Sequence, residues 1–193
     1  MLSIAKVRTL CLLVGIAVAS ALFALPALSQ DQAAAARTAA GCGPSEVQFD
    51  VKTDKKQHPV AQPEAGKALV YVIEAEKADR GVFKIGAVTT RAGLDGSWVG
   101  ANHGASYFYF SVEPGEHRLC TDWQSSFKSI SRLGSAVSFT AEAGKVYYFR
   151  VEVHETSNHP LAVKLEPLDS AAAQFLISSS SLSISHPKPP ASD

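Results

Sequence analysis

What is scarce in this chain excludes more than what is abundant. Among 193 residues there are three cysteines and no Cys-X-X-Cys pair, so neither a zinc ribbon nor a dithiol redox motif is available. No excess of charge exists either, with 18 Lys and Arg against 18 Asp and Glu. A nucleic-acid binder needs a basic surface to displace counterions from phosphates, and this balance argues against that class. The glycine patterns that cradle nucleotide phosphates are missing. So is the Gly-X-Ser-X-Gly elbow of hydrolases: Gly96-Ser97-Trp98-Val99-Gly100 has its glycines at the wrong offset. Yet 46% of the residues are hydrophobic, too many for a disordered chain, and the length suits one domain with tails.

The N-terminus carries an address. Lys6 and Arg8 are the only charges in the first 29 residues, and an apolar run from Thr9 to Leu25 leads into Pro26-Ala27-Leu28-Ser29. A basic start, an apolar centre and small residues at Ala27 and Ser29 predict a secretory signal peptide over 1–29, cut between Ser29 and Gln30. The alternative is an uncleaved N-terminal membrane anchor, since Thr9–Leu28 could just span a bilayer as a helix. Lipidation at Cys42 is disfavoured, because Asp31 and Arg37 separate it from the apolar run. After cleavage, 16 basic residues face 18 acidic ones, no transmembrane helix remains, and the chain is expected outside the cytoplasm, in the periplasm or secreted.

Cleavage also removes Cys11 and leaves Cys42 and Cys120. In an oxidising compartment two such thiols pair, which predicts a Cys42–Cys120 disulfide. Closing a loop of that length destabilises the unfolded chain by about 4 kcal/mol.

Gln30 to Ser45 is expected to be a flexible leader, followed by a domain over 46–168. Val47, Phe49 and Val51 alternate with polar residues as in a half-buried strand. Ala68–Glu74 is apolar on both faces, as a central strand would be. Strands over 86–94 and 97–100 flank Asp95-Gly96, a tight-hairpin dipeptide. Ser106–Val112 and His117–Trp123 flank Glu113-Pro114-Gly115-Glu116 and read as a second hairpin. Strands over 136–141 and 145–153 flank Glu142-Ala143-Gly144, and Leu161–Leu165 is the last expected strand. Asp169 or Ser170 caps a short helix through Ile177 with Phe175 and Leu176 on its buried side. Residues 178–193 read as a disordered tail. The expected fold is therefore all-β, an antiparallel immunoglobulin-like sandwich of about 7–9 strands with a short C-terminal helix, a small barrel being the alternative.

Chemistry-bearing constellations are thin. His154 and His159 are five apart, where one helix face needs four. His117 shares a strand face with Leu119, Thr121 and Trp123, the setting of a structural histidine, and His103 sits in a loop. Asp50, Asp54, Asp95 and Asp122 are too dispersed for a calcium site. No catalytic residue, metal or cofactor is assigned. Trp98, Trp123, Tyr107 and Tyr109, with Tyr148, either fill the core or form an exposed stacking platform for sugars or peptides.

The motif order Gly66-Lys67-Ala68-Leu69-Val70-Tyr71-Val72, Leu94-Asp95-Gly96-Ser97-Trp98-Val99-Gly100, Ser106-Tyr107-Phe108, Glu113-Pro114-Gly115-Glu116-His117 and Ala143-Gly144-Lys145-Val146-Tyr147-Tyr148-Phe149 resembles the domain-of-unknown-function family numbered 2846, over about Gly66 to Leu165. The Pro-Gly-Glu-His turn is more distantly similar to small surface domains of the PEGA type. The family resemblance implies an exported or lipid-anchored bacterial envelope protein with no established activity, and it brings no catalytic residues. The expected function is a non-catalytic binding or scaffolding module whose partners are envelope proteins or glycans. A carbohydrate-binding module using the exposed aromatics is the alternative, and a hydrolase or metalloenzyme is less favoured.

Overall fold

A computed structural model of the chain describes residues 42–75, 88–125, 134–154 and 162–189. The expected signal peptide, most of the leader, His159 and the side chain of His154 lie outside the described residues. The described residues form ten strands and one helix, in order: β1 (Phe49–Asp54), β2 (Ala68–Glu74), β3 (Thr89–Leu94), β4 (Ser97–His103), β5 (Ser106–Val112), β6 (Gly115–Gln124), β7 (Gly134–Ala141), β8 (Val146–His154), β9 (Ala162–Leu168), α1 (Ser170–Ser179) and β10 (Ser181–Pro187). They form a two-sheet sandwich. Sheet A has the order β1-β10-β5-β2-β8-β9 and sheet B the order β4-β3-β6-β7.

Period two along β2 explains the layering. Val70 and Val72 point between the sheets and pack with Phe108, Leu119, Trp123, Phe149 and Val151. Leu69, Tyr71 and Ile73 point to the other face of sheet A, where Tyr107 and Ala173 of α1 join them. That two-faced burial is why the strand is apolar throughout. Asp169 caps α1, its Oδ1 accepting from the N–H groups of Ala171 and Ala172 at 2.9 Å each. Phe175 departs from expectation: it is 73% exposed, and Ala173 is the residue of α1 buried against the sheet. A short helix lying flat on tyrosines has room for a small side chain at its contact point.

The Asp95-Gly96 hairpin forms as the dipeptide requires, with φ of 51° and 85° at its two central residues and Leu94 opposite Ser97. The other two turns expected from the sequence do something else. β5 belongs to sheet A and β6 to sheet B, and likewise β7 to sheet B and β8 to sheet A. Both turns are arches that carry the chain from one sheet to the other, so the expected Ser106–Val112/His117–Trp123 hairpin does not exist. β2 therefore gains β8 as a parallel neighbour, and the sandwich is not purely antiparallel.

β10 lies within the segment expected to be a disordered tail. It runs antiparallel to β1 from Phe49↔Pro187 to Asp54↔Leu182 and starts parallel to β5 at Ser181↔Ser106. Its serines face inward: Ser183 Oγ donates to the Ala101 carbonyl at 2.8 Å and Ser185 Oγ accepts from the Ala101 N–H at 3.0 Å. Serine is the buried half of a period-two strand here, which a hydrophobicity pattern does not register.

Candidate functional site

The outer face of sheet B is where polar chemistry is most concentrated. Arg91 on β3 and Asp122 on β6 are direct cross-strand partners. Arg91 Nε donates to Asp122 Oδ1 at 2.8 Å and Nη2 to Oδ2 at 2.5 Å, a bidentate pair. Arg91 is 4% exposed, and its guanidinium stacks 4.2 Å from the Trp98 ring centroid, where its charge meets the negative ring face. Its Nη1 donates to the carbonyl of Val47 and, at 3.4 Å, to that of Ser45.

Those carbonyls belong to a strap, Cys42–Val47, laid across the sheet. The Cys42–Cys120 disulfide fixes one end, with Cα atoms 5.5 Å apart at a sequence separation of 78. Trp98 Nε1 donates to the Pro44 carbonyl at 2.8 Å. Gly93 lies directly beneath: a Cβ there would overlap the Cys42 carbonyl oxygen. Beside the strap opens a cleft of about 420 Å³, lined by the disulfide, Arg91, Trp98, Arg118, Asp122 and Ser135 among others. Every donor of Arg91 named above is engaged within the fold, so the arrangement clamps the strap; it does not present a free guanidinium.

Asp95 and His117 form a second polar pair on the same sheet. Asp95 Oδ2 lies 2.7 Å from His117 Nδ1, and its Oδ1 accepts from the Arg118 N–H at 2.8 Å. His117 Nε2 lies 2.8 Å from the Glu113 carbonyl. A carboxylate and a carbonyl only accept, so the ring that satisfies both is the doubly protonated imidazolium. Burial pulls the His117 pKa down, but the Asp95 and Glu113 bonds and the Asp95 charge outweigh it and the net shift is upward. With both nitrogens committed, this pair lacks the free nitrogen a general base needs.

A third group lies inside the sandwich. Glu74, at the end of β2, is 1% exposed and accepts from Thr90 Oγ1 at 2.6 Å through Oε2, while its Oε1 has no hydrogen-bond partner. Burial pushes its pKa up to about 8, against the smaller opposing effect of the Thr90 bond. It is a neutral acid at pH 7. Sequence reading absorbed Glu74 into an apolar strand; its one signal was a lone acid closing the run ALVYVIE.

The four aromatics considered for a stacking platform are divided among three places. Trp98 is half-buried on the outer face of sheet B. Trp123 is 5% exposed and part of the core between the sheets. Tyr107, fully buried, and half-buried Tyr109 lie on the outer face of sheet A around Tyr71, with ring centroids 6.2 and 5.2 Å from it; Tyr148 stacks on Tyr71 at 5.2 Å. The four share no common plane for a sugar to stack on, because they are divided among the outer face of sheet B, the core between the sheets and the outer face of sheet A. Among the described residues no three His, Cys, Asp or Glu side chains lie close enough to hold a metal ion, and no helix is long and apolar enough to cross a membrane.

No curated protein matches the chain. Residues 64–164, from the loop before β2 into β9, match a family model described as protein of unknown function (DUF2846). The matched stretch is just over half of the chain and contains Arg91, Asp122, Asp95, His117, Glu74 and Cys120, while Cys42 and the strap stand before it. The chain therefore belongs to the DUF2846 family of proteins of unknown function.

Proposed function

We propose that this protein is an exported, non-catalytic binding or scaffolding module of the bacterial cell envelope. The observation that carries the reading is the Cys42–Cys120 disulfide, which anchors a strap over an ion pair whose polar atoms are used up inside the fold. Disulfides persist in oxidising compartments, and the basic-apolar-small pattern of residues 1–29 supplies a route to one. The acid and base groups that could have served a reaction hold structure instead: Arg91 and Asp122 hold the strap, and Asp95 and His117 hold the β3–β4 turn against β6. The stacking-ring version of a glycan module receives no support from rings so dispersed, so envelope proteins are the favoured partners.

Cell fractionation with thiol trapping tests the reading. The expected result is a mature chain beginning near Gln30, found outside the cytoplasm, with Cys42 and Cys120 both resistant to alkylation until reduced. Free thiols in a cytoplasmic pool would overturn export. Turnover of any substrate by the purified protein, lost when Asp95 or His117 is replaced, would overturn the non-catalytic part.

A further inference from the structure

A two-sheet sandwich leaves four edge strands, here β1 and β9 in sheet A and β4 and β7 in sheet B. An edge strand offers unpaired N–H and C=O groups to any other strand, and proteins guard such edges with charge, proline or cover. Three of the four are guarded. β1 carries Asp50, Lys52 and Asp54 in six residues. β9 carries Lys164, Glu166 and Pro167, and the proline has no N–H to give. On β4, Ser183 and Ser185 of β10 take both backbone groups of Ala101.

Among the described residues β7 has none of these devices. Its eight residues, GSAVSFTA, contain no charge and no proline. It pairs with β6 in unbroken register from Gly115↔Ala141 to Asp122↔Gly134, and among the described residues no strand pairs with its other edge. Val137 and Phe139 are only half-buried, and beside them opens an apolar cavity of about 240 Å³ lined also by Tyr147, Phe149 and Leu168.

We infer that β7 is a self-association edge, pairing antiparallel with β7 of a second copy about a twofold axis. Charge decides the occupant. β7 laid against itself opposes Ser, Ala, Val, Phe and Thr in every register, so no like charges meet across the pair. Among the described strands the guarded edges leave this one pairing open, and a twofold, isologous contact closes after two copies and does not grow into a fibre. The four strands of sheet B would become eight, and Val137 and Phe139 of each copy would cover the apolar cavity of the other. The inference does not depend on the proposed function.

The test uses sedimentation of the mature full chain over a concentration series, with Ser138→Lys and Ser138→Asp. Ser138 is exposed on the solvent side of the strand, so both variants should fold, which an unchanged Tm verifies. The wild type is expected to be a dimer. Each variant alone should weaken the dimer about tenfold or more, and an equimolar mixture of the two should restore it, because opposite charges then meet at the axis. A wild type that stays monomeric up to about 100 μM, far above typical specific affinities, overturns the inference. That holds also if the edge then takes an extended segment of another protein, seen as new hydrogen-exchange protection over 134–141. Dimers that persist unchanged in both variants overturn it as well.

Discussion

The outer faces of the two sheets are each covered by a piece of chain from near one end of the domain, and by opposite physics. On sheet A, α1 settles on Leu69, Tyr71, Ile73 and Tyr107 through apolar contact, and only Ala173 is fully buried at the join. On sheet B, the strap Cys42–Val47 is held by a disulfide, a buried ion pair, an indole N–H and a stacked guanidinium. Apolar cover needs area, which a ten-residue helix supplies. A six-residue strap has too little area to bury, and covalent and charged anchors take its place. The two covers should therefore fail differently.

The largest expected effect is on the strap. Replacing both cysteines by alanine (Cys42→Ala, Cys120→Ala) should lower stability by about 4 kcal/mol, read as a fall in the midpoint of denaturant unfolding. Reduction of the wild type should match it, and no change would mean that the strap's other anchors suffice. Next, Arg91→Ala leaves Asp122 without its partner and should cost about 3 kcal/mol. The double change Arg91→Met, Asp122→Leu should cost much less, because it removes the charge as well as the pair. Equal losses in the two variants would mean that the carbonyls of the strap, not Asp122, are what Arg91 stabilises.

The core between these faces gives an effect that depends on pH. Glu74 has its folded pKa raised from 4.5 to about 8. Between those values the unfolded chain is ionised while the folded chain keeps its proton. The contribution of Glu74 to stability is therefore fully present below 4.5 and is lost as the pH rises to about 8. Glu74→Gln should flatten that decline, which unfolding at about pH 5 and about pH 9 would reveal. A parallel decline in the variant would place the dependence elsewhere.

The smallest effect sharpens the contrast on sheet A. Tyr107 is completely buried and its hydroxyl has no hydrogen-bond partner. Tyr107→Phe should stabilise the protein by about 1 kcal/mol, whereas removing polar groups from sheet B's outer face should weaken it. A loss on Tyr107→Phe would show that the hydroxyl has a partner in solution.

Much of this was legible in the chain. Nine of the ten strands follow from period-two patterning and β-branched runs, and the Asp95-Gly96 turn from the φ > 0 demand of a two-residue hairpin. Cys42 and Cys120 pair as expected. The site was harder to see. Arg91 and Asp122 are 31 residues apart, and their meeting depends on the register of β3 against β6. For Trp123 the sequence leaves core and stacking platform both open, and its strand face decides for the core.

What the sequence determined by itself, then, is the local grammar: which segments extend and where tight turns fall. These follow from side-chain period and backbone sterics, which act over a few residues. Only the tertiary structure decided which sheet each strand joins. The Pro114-Gly115 and Glu142–Gly144 turns reverse the chain much as a hairpin would, yet they cross between sheets. That choice is made by burying Phe108, Phe149 and Trp123 against one another, a contact among residues far apart in sequence that no local window contains. Tertiary structure alone also made Ser183 a buried residue, Phe175 an exposed one and β7 an open edge.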